Sequence, residues 1–236
     1  MTEAPEIDPA WLSTTWFLDH DHPSVVAFVD EHTCDIPEGD DPELVRRRAV
    51  ALFHAVRDGY RYDPYRSTHD PVDYRASTVV GSSSNWCVPK AVLLTAAARR
   101  AGIPARLGFA DVRNHLTSAK LSERMATDLF VWHGYSELLL DGAWRKVSSA
   151  FNVELCERFG TKVLEFDGTA DALMHPFDTA GRRHMEYVRQ RGSFDDLPLE
   201  QILATFREVY PSHLVADAPG APGGAGAAAA GDDAFT

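Results

Sequence analysis

The chain has 236 residues, 44% of them hydrophobic and 25% charged, which predicts a folded protein with a packed core. Its formal net charge of -12 argues against non-specific binding to nucleic acid or to an anionic membrane surface, since both need a basic face. The sequence shows no signal peptide and no apolar run of membrane length, and its 3 distant cysteines favour free thiols. We therefore expect a cytoplasmic protein that binds neither nucleic acid nor membrane.

The first two-fifths of the chain is predicted to be helical. After a short amphipathic run near residues 25–29, a clearer helix begins behind Asp41, a good N-cap, with Pro42 at its first position and Gly59 at its end. Its buried face is predicted from apolar residues at helical spacing: Leu44, Val45, Ala49, Leu52, Phe53 and Val56.

A third helix is predicted to begin near Cys87 and to end before Gly102, which suits the position after a helix C-terminus. Ser84 or Asn85 can cap it. The polar residues 81–85 that lead into this helix argue against deep burial of its first turn. Because unpaired N–H groups and the helix dipole favour a thiolate at that point, we expect Cys87 to be reactive.

The second half of the chain turns to strands. Residues 105–112 form one, and residues 129–140 and 143–149 form a hairpin about Asp141-Gly142, a dipeptide suited to a two-residue turn. The segment His184–Tyr187 is predicted to start or continue a surface helix. Helices followed by an antiparallel sheet indicate the α+β class.

Composition divides the chain into two parts. We expect a single domain over residues 1–212, with a core over about 42–152 and a C-terminal extension over 153–212. Residues 213–236 are rich in Ala, Gly and Pro and lack large apolar side chains that would offset the entropy of ordering. This segment is predicted to be a disordered tail.

Cys87 and His133 are the candidate catalytic pair. A lone cysteine or strand histidine is more often a packing residue, but a thiol at a helix start followed by a histidine on a strand is the layout of a nucleophile and its base. Cys34 and Cys156 have no such setting. The sequence has no CxxC or HExxH pattern, so no metal is predicted, and a zinc site from Cys87, His133 and His115 is a distant alternative.

The hairpin predicts which residues can orient the histidine. With Asp141-Gly142 at the turn, His133 would face Ala150, and its diagonal neighbours on the same face would be Ser148 and Asn152. Either side chain could accept a hydrogen bond from the imidazole.

These residues carry a resemblance. Four elements together resemble the transglutaminase-like superfamily of papain-like cysteine enzymes, in its bacterial stand-alone form. They are the motif Cys87-x-x-Lys90-Ala91-x-Leu93-Leu94, the helix end Arg100 to Arg106, the Trp132-His133 strand and Leu140-Asp141-Gly142-x-Trp144-x-x-Val147. The resemblance covers roughly residues 80–150. It implies a cysteine-bearing helix packed on an antiparallel sheet, with Cys87 as nucleophile, His133 as general base and no cofactor.

The chain departs from the family at the third catalytic position. The family usually has Asp four residues after the hairpin tryptophan, where this chain has Ser148. A serine holds an imidazolium less well than a carboxylate, so we favour Asn152 over Ser148 as the orienting group. Glu165, Asp167 or Asp171 could also supply a carboxylate, or the site could be inactive.

The sequence indicates the groups that would bind substrate less specifically than it indicates the catalytic pair. The backbone N–H of Cys87 is a natural oxyanion donor, and Asn85 could be the second, although it could equally be a helix cap. Trp86 could form a wall of the acyl pocket. Arg113 and His115 follow a strand and could contact a substrate carbonyl or carboxylate.

The sequence thus predicts cysteine-dependent acyl transfer, either transamidation or hydrolysis of an amide or thioester, through an acyl-enzyme. The acyl donor would be a peptide, a protein or a small molecule, and the acceptor an amine or water. The alternative is a catalytically inactive binding or scaffold module on the same fold, which the missing aspartate favours.

Overall fold

The computed structural model describes residues 7–115, 121, 123 and 125–211. The α-helices are α1 Pro23–Thr33, α2 Pro42–Gly59, α3 Ala76–Val80, α4 Cys87–Arg100, α5 Val153–Phe159 and α6 Leu199–Val209. The strands are β1 Arg61–Tyr62, β2 Ser84–Asn85, β3 Ala105–Asn114, β4 Leu129–Leu140, β5 Ala143–Val147 and β6 Met185–Phe194. The predicted tail over residues 213–236 lies outside the described residues.

One antiparallel sheet and the helix that packs on it organise the fold. The sheet has the strand order β5-β4-β3-β6, and β1 and β2 form a separate parallel pair. Helix α4 packs on β3 and β4, while α1, α2 and α3 contact α4. The α+β class predicted from the sequence is confirmed. None of the helices in the described part of the chain is long and apolar enough to cross a membrane.

Helix α2 begins and ends where the sequence predicts. The Asp41 side chain accepts a hydrogen bond from the Glu43 N–H at 2.9 Å, Pro42 occupies the first turn, and Gly59 is the last helical residue. The buried residues recur on one face and pack toward α4, so local capping and helical periodicity together fix this element.

Helix α4 is the centre of the core. Every residue from Cys87 to Arg99 is buried. This burial includes two cations, which the backbone satisfies. Lys90 Nζ donates to the carbonyl oxygens of Arg57 and Tyr60 at 2.9 and 2.6 Å, and the Arg99 guanidinium donates to three backbone carbonyls. Buried charges need such partners, so both side chains fasten α4 to the segments around it.

The β4–β5 hairpin has the predicted register as far as it extends. Leu140 pairs with Ala143, and Ser136 pairs with Val147. Strand β5 ends at Val147, however, and the Ser148 N–H donates to the Ala172 carbonyl at 2.8 Å. His133 therefore does not face Ala150; its partner is Ala110 in β3.

Two local predictions were wrong. The segment predicted as a surface helix near His184 leads into β6, which pairs antiparallel with β3 along its length. This pairing with a distant strand overrides the weak local preference. The N-cap of α4 is Trp86 rather than Ser84 or Asn85, because both of those residues form β2 beside β1.

Candidate active site

Cys87 is the first residue of α4, directly after the β2 strand and the N-cap residue Trp86. Strand β2 is paired with β1, so this pairing fixes the entry of the chain into the helix. Only 6% of Cys87 is exposed. The expectation of an exposed first turn is thus wrong for the thiol.

Burial also determines the chemistry of the thiol at rest. It raises the pKa of Cys87 from 9.0 to about 11, although backbone hydrogen bonds with Gly134, Val88 and Cys87 itself and the charge of Lys90 act in the opposite direction. The helix dipole and the unpaired N–H groups of the first turn favour a thiolate, but the loss of hydration outweighs both.

His133 is buried in β4, and this burial lowers its pKa from 6.5 to about 4. Desolvation disfavours the charged forms of both groups. At neutral pH the two residues are therefore a thiol and a neutral imidazole, and not a preformed thiolate–imidazolium ion pair.

A bulge in β4 precedes the histidine. Ala110 pairs with His133 and the next pair is Val112 with Phe130, so Asp111 lies opposite two residues of β4, one of them Trp132. Trp132 has a left-handed φ of 58°, and its N–H donates to Asp111 Oδ1 at 3.1 Å. Backbone strain of this kind is often found beside functional residues, and here it precedes His133 directly.

Gly134 brings the histidine strand against the cysteine helix. A Cβ atom at this position would lie 3.1 Å from Val88 Cα and 3.4 Å from the Cys87 carbonyl oxygen. The Gly134 backbone is also hydrogen-bonded to the Cys87 thiol. A side chain here would force its neighbours to move by a few tenths of an ångström. Glycine thus favours this approach, which places the residue after His133 in contact with the residue that bears the thiol.

The two candidates for the third catalytic position are placed differently. Ser148 Oγ lies 3.5 Å from His133 Nε2, a long hydrogen bond. The Asn152 amide is engaged elsewhere: its oxygen accepts from the Tyr62 N–H at 3.0 Å, and its nitrogen donates to Glu154 at 2.6 Å. The preference for Asn152 is not supported by these contacts, because β5 ends before Asn152 can continue the sheet beside β4.

Cys87 and His133 border one cavity of about 90 Å³. Its walls are mainly aromatic and aliphatic, and none of the described residues that line it is Asp, Glu, Lys or Arg. The walls come from the segment after β1, from β3, β4 and β6, and from the C-terminal end of α6. No local pattern in the sequence marks Tyr62, Phe206 or Tyr210 as wall residues, because their positions depend on long-range packing.

The predicted substrate-binding residues divide into two groups. Trp86 lines the cavity, and its indole Nε1 is buried without a hydrogen-bond partner among the described residues. Asn85 donates to Ser82 Oγ at 2.8 Å and borders a different, polar pocket. Arg113 pairs with Asp128 and His115 with Glu186, and neither lines the cavity.

The described residues also bear on the zinc alternative. No group of three or more His, Cys, Asp or Glu side chains within the described ranges is arranged to hold a metal ion. His115 is bonded to Glu186 instead of joining Cys87 and His133 at the cavity.

Comparison with known proteins places this site in a family. Residues 33–149 match the family model described as the transglutaminase-like superfamily. A solved structure of a candidate cysteine protease from Cytophaga hutchinsonii is similar at 13% identity, with a TM-score of 0.44, over 78% of this chain and 53% of that chain. Among curated proteins none matches the chain. Cys87, His133 and the hairpin that follows all lie within residues 33–149, and through this segment the chain belongs to the transglutaminase-like superfamily.

Proposed function

We propose that the protein catalyses cysteine-dependent acyl transfer from an amide or thioester, with Cys87 as nucleophile and His133 as general base. One observation carries the proposal: the thiol at the start of α4 and the strand histidine border a single cavity, and the Gly134 backbone joins their two elements. The match of residues 33–149 to the transglutaminase-like superfamily supports a cysteine enzyme.

The neutral resting pair determines how the reaction begins. As Cys87 Sγ forms a bond to the substrate carbonyl carbon, its proton passes to the neutral imidazole of His133. Ser148 contacts Nε2 of that ring, so Nδ1 is the nitrogen that takes the proton. The imidazolium then returns the proton to the departing amine or thiol as the tetrahedral intermediate collapses to an acyl-enzyme.

Two N–H groups can stabilise the oxyanion that develops on the substrate carbonyl. The backbone N–H of Cys87 lies at the helix start, where N–H groups have no partner within the helix. The Nε1–H of Trp86, the residue beside Cys87, has no described partner, but its nitrogen is fully buried, so the ring has to turn before this group can reach a substrate carbonyl. Donors of this kind strengthen in a cavity that excludes water.

In the second half of the reaction, an amine or water attacks the thioester carbonyl of the acyl-enzyme. His133 removes the proton of this acceptor and returns it to the Cys87 sulfur as the acyl group leaves. Transamidation and hydrolysis share this sequence of steps and differ only in the acceptor. The substrates proposed are peptides, proteins or small acyl compounds.

The test is to trap the acyl-enzyme. Wild type is mixed with a small alkyl thioester at pH 7.5, quenched in acid and examined by intact mass and peptide mapping. We expect one acyl group on Cys87, none in Cys87→Ala, and an acylation rate lowered about 100- to 10,000-fold in His133→Ala. Cys156→Ser, which removes another buried thiol, is the matched control and should acylate normally. An adduct that does not depend on His133 contradicts the proposed base.

A binding or scaffold module is the second candidate function. Two observations favour it. Cys87 and His133 are both neutral at rest, and within the described residues burial alone shifts the pKa of His133, with no carboxylate opposing it. Under this alternative the thioester leaves wild type unmodified, even though the folded protein binds ligands in the cavity.

A further inference from the structure

The cavity beside Cys87 carries information about the acyl group that it can hold. Resting on the proposed function, we infer that the acyl donor carries a short, uncharged, aliphatic acyl chain, which is buried between the cysteine helix and α6. Charge, hydrogen bonding and size each support this substrate class separately.

Charge is the first argument. Within the described part of the chain, the cavity lining has no Asp, Glu, Lys or Arg, although the whole chain carries 23 basic and 35 acidic residues. A carboxylate or ammonium group on the acyl chain would lose its hydration there without gaining an opposite charge. Acyl chains that end in a charge are therefore disfavoured, whatever their length.

Hydrogen bonding is the second argument. The Tyr210 hydroxyl is occupied, since it accepts from the Val131 N–H at 2.8 Å and donates to the Leu129 carbonyl. The Tyr210 hydroxyl is therefore not free to bind a polar group on the acyl chain, which favours an apolar acyl body at this wall.

Size is the third argument. The cavity volume is about 90 Å³. An engineered apolar cavity of about 150 Å³ accepts benzene, so the smaller volume here favours a short aliphatic chain over a chain that carries a phenyl ring. Phe206 of α6 limits the space, because its ring lines the cavity and lies 5.9 Å from the Trp86 ring, centroid to centroid.

The experiment uses isosteric acyl groups on one thiol carrier, N-acetylcysteamine. Isovaleryl and malonyl thioesters have nearly the same shape, but malonyl carries a carboxylate where isovaleryl has two methyl groups. Phenylacetyl thioester tests size. We expect wild type to acylate with isovaleryl at least about 100-fold faster than with malonyl. It should also react about 10-fold or more faster with isovaleryl than with phenylacetyl.

Substitution of Phe206 tests the wall itself. Phe206→Ala should raise the ratio of the phenylacetyl to the isovaleryl rate about 10-fold, and Phe206→Leu should raise it less. Val209→Ala is the matched control, because Val209 is on the same helix, is exposed, and does not line the cavity. Equal ratios in Phe206→Ala and Val209→Ala overturn the assignment of Phe206 as the size limit.

Binding without chemistry separates the substrate class from the proposed reaction. Isovaleramide and its anionic isostere malonamate are titrated calorimetrically into folded Cys87→Ala. Binding of isovaleramide alone, with no acylation of wild type, supports the ligand class and overturns the catalytic proposal. Acylation by malonyl thioester as fast as by isovaleryl overturns the ligand class and leaves catalysis standing. If neither compound binds and neither thioester reacts, both proposals are wrong.

Discussion

Gly134 lies so close to Val88 that a side chain at position 134 would meet the backbone of the cysteine helix: a Cβ there would be 3.1 Å from Val88 Cα. The contact matters because it joins the strand of His133 to the helix of Cys87. The distance between the helix of Cys87 and the strand of His133 is thus set by a close contact at a residue without a side chain and not by a flexible contact.

Gly134→Ala is therefore expected to push β4 away from α4. Because the atom in the way is backbone, the cost should be about 1–3 kcal/mol in the free energy of unfolding, as for overpacked cores. The acylation rate of Cys87 should fall as well. Urea denaturation and the thioester assay measure the two effects.

The control for that substitution is Gly59→Ala, since a Cβ at Gly59 at the end of α2 meets nothing within 4 Å. Its stability should change little or rise by a few tenths of a kcal/mol, because alanine restricts the unfolded chain. If both alanine variants behave alike, the proposed close approach at position 134 has no energetic consequence.

A carboxylate at position 148 should change the pKa of His133. Ser148→Asp places a negative charge within reach of His133 Nε2, so the pKa of His133 should rise from about 4 by about one unit or more. The ring signals of His133 in NMR spectra, followed against pH, report this shift directly. Ser148→Ala should lower the acylation rate less than about 10-fold, because the present hydrogen bond is long.

Ser149→Asp is the matched control for the carboxylate, since Ser149 is a buried neighbour without a described contact to the imidazole. It should leave the pKa of His133 closer to the wild-type value. An equal shift in both variants would mean that the added negative charge raises the pKa of His133 at long range, and not through a contact with Nε2.

Tyr210 is expected to hold the bulged part of β4 in place. Tyr210→Phe keeps the ring but removes the hydroxyl that accepts the Val131 N–H, which should cost about 1–3 kcal/mol of stability. The Val131 amide should then exchange hydrogen for deuterium faster. Tyr60→Phe, which loses a hydroxyl that donates to the Val80 carbonyl and not to a group of β4, should leave Val131 exchange unchanged.

Lys90 should make the stability depend on pH. Burial lowers its pKa from 10.5 to about 7, so between these values the unfolded chain binds more protons than the folded protein. The contribution of Lys90 to the free energy of unfolding should therefore rise with pH from 7 toward 9.5, by at most about 1.4 kcal/mol per pH unit. Below pH 7 this contribution becomes constant.

Urea denaturation of wild type and Lys90→Met over this pH range isolates the effect. Lys90→Met should lose the rise, although it also leaves the carbonyl oxygens of Arg57 and Tyr60 without their donor. Identical pH slopes in the two proteins would show that the Lys90 ammonium is not penalised by burial.

Alkylation should distinguish the buried thiol of Cys87 from the exposed thiol of Cys34. Because burial raises the pKa of Cys87 to about 11, its reaction with iodoacetamide should be slow at pH 8 and still increase above pH 10. Cys34 is exposed and should react first. Peptide mapping after timed quenching measures both sites, and a rate plateau for Cys87 below pH 8.5 would falsify the neutral resting pair.

Local signals in the sequence were sufficient for several elements. Asp41 and Pro42 mark the start of α2, and Asp141-Gly142 sets the register of the β4–β5 hairpin. Strand β6 escaped detection because its pairing with β3 joins segments about 80 residues apart, and sequence periodicity does not report such pairing.

The same limit applies to the site. The place of Cys87 at a helix start could be predicted from Gly102 and the polar residues before it. Its pKa direction could not, because the desolvation depends on walls such as Tyr62 and Phe206 that come from distant parts of the chain. The end of β5 at Val147 likewise depends on the docking of Ala172, so the contact with Ser148 was not favoured over Asn152.

The bulge at Trp132 divides β4 into two halves whose alternation of side chains is set independently. In the half that carries His133, the hairpin and the contact of Gly134 with α4 determine which face each side chain lies on. In the half before Trp132, the pairing with Val112 and Arg113 of β3 determines it. A change of one residue in the length of the chain before Phe130 can thus be absorbed at the bulge. The cavity wall formed by the first residues of β4 can thus change in evolution while His133 keeps its place at the cavity.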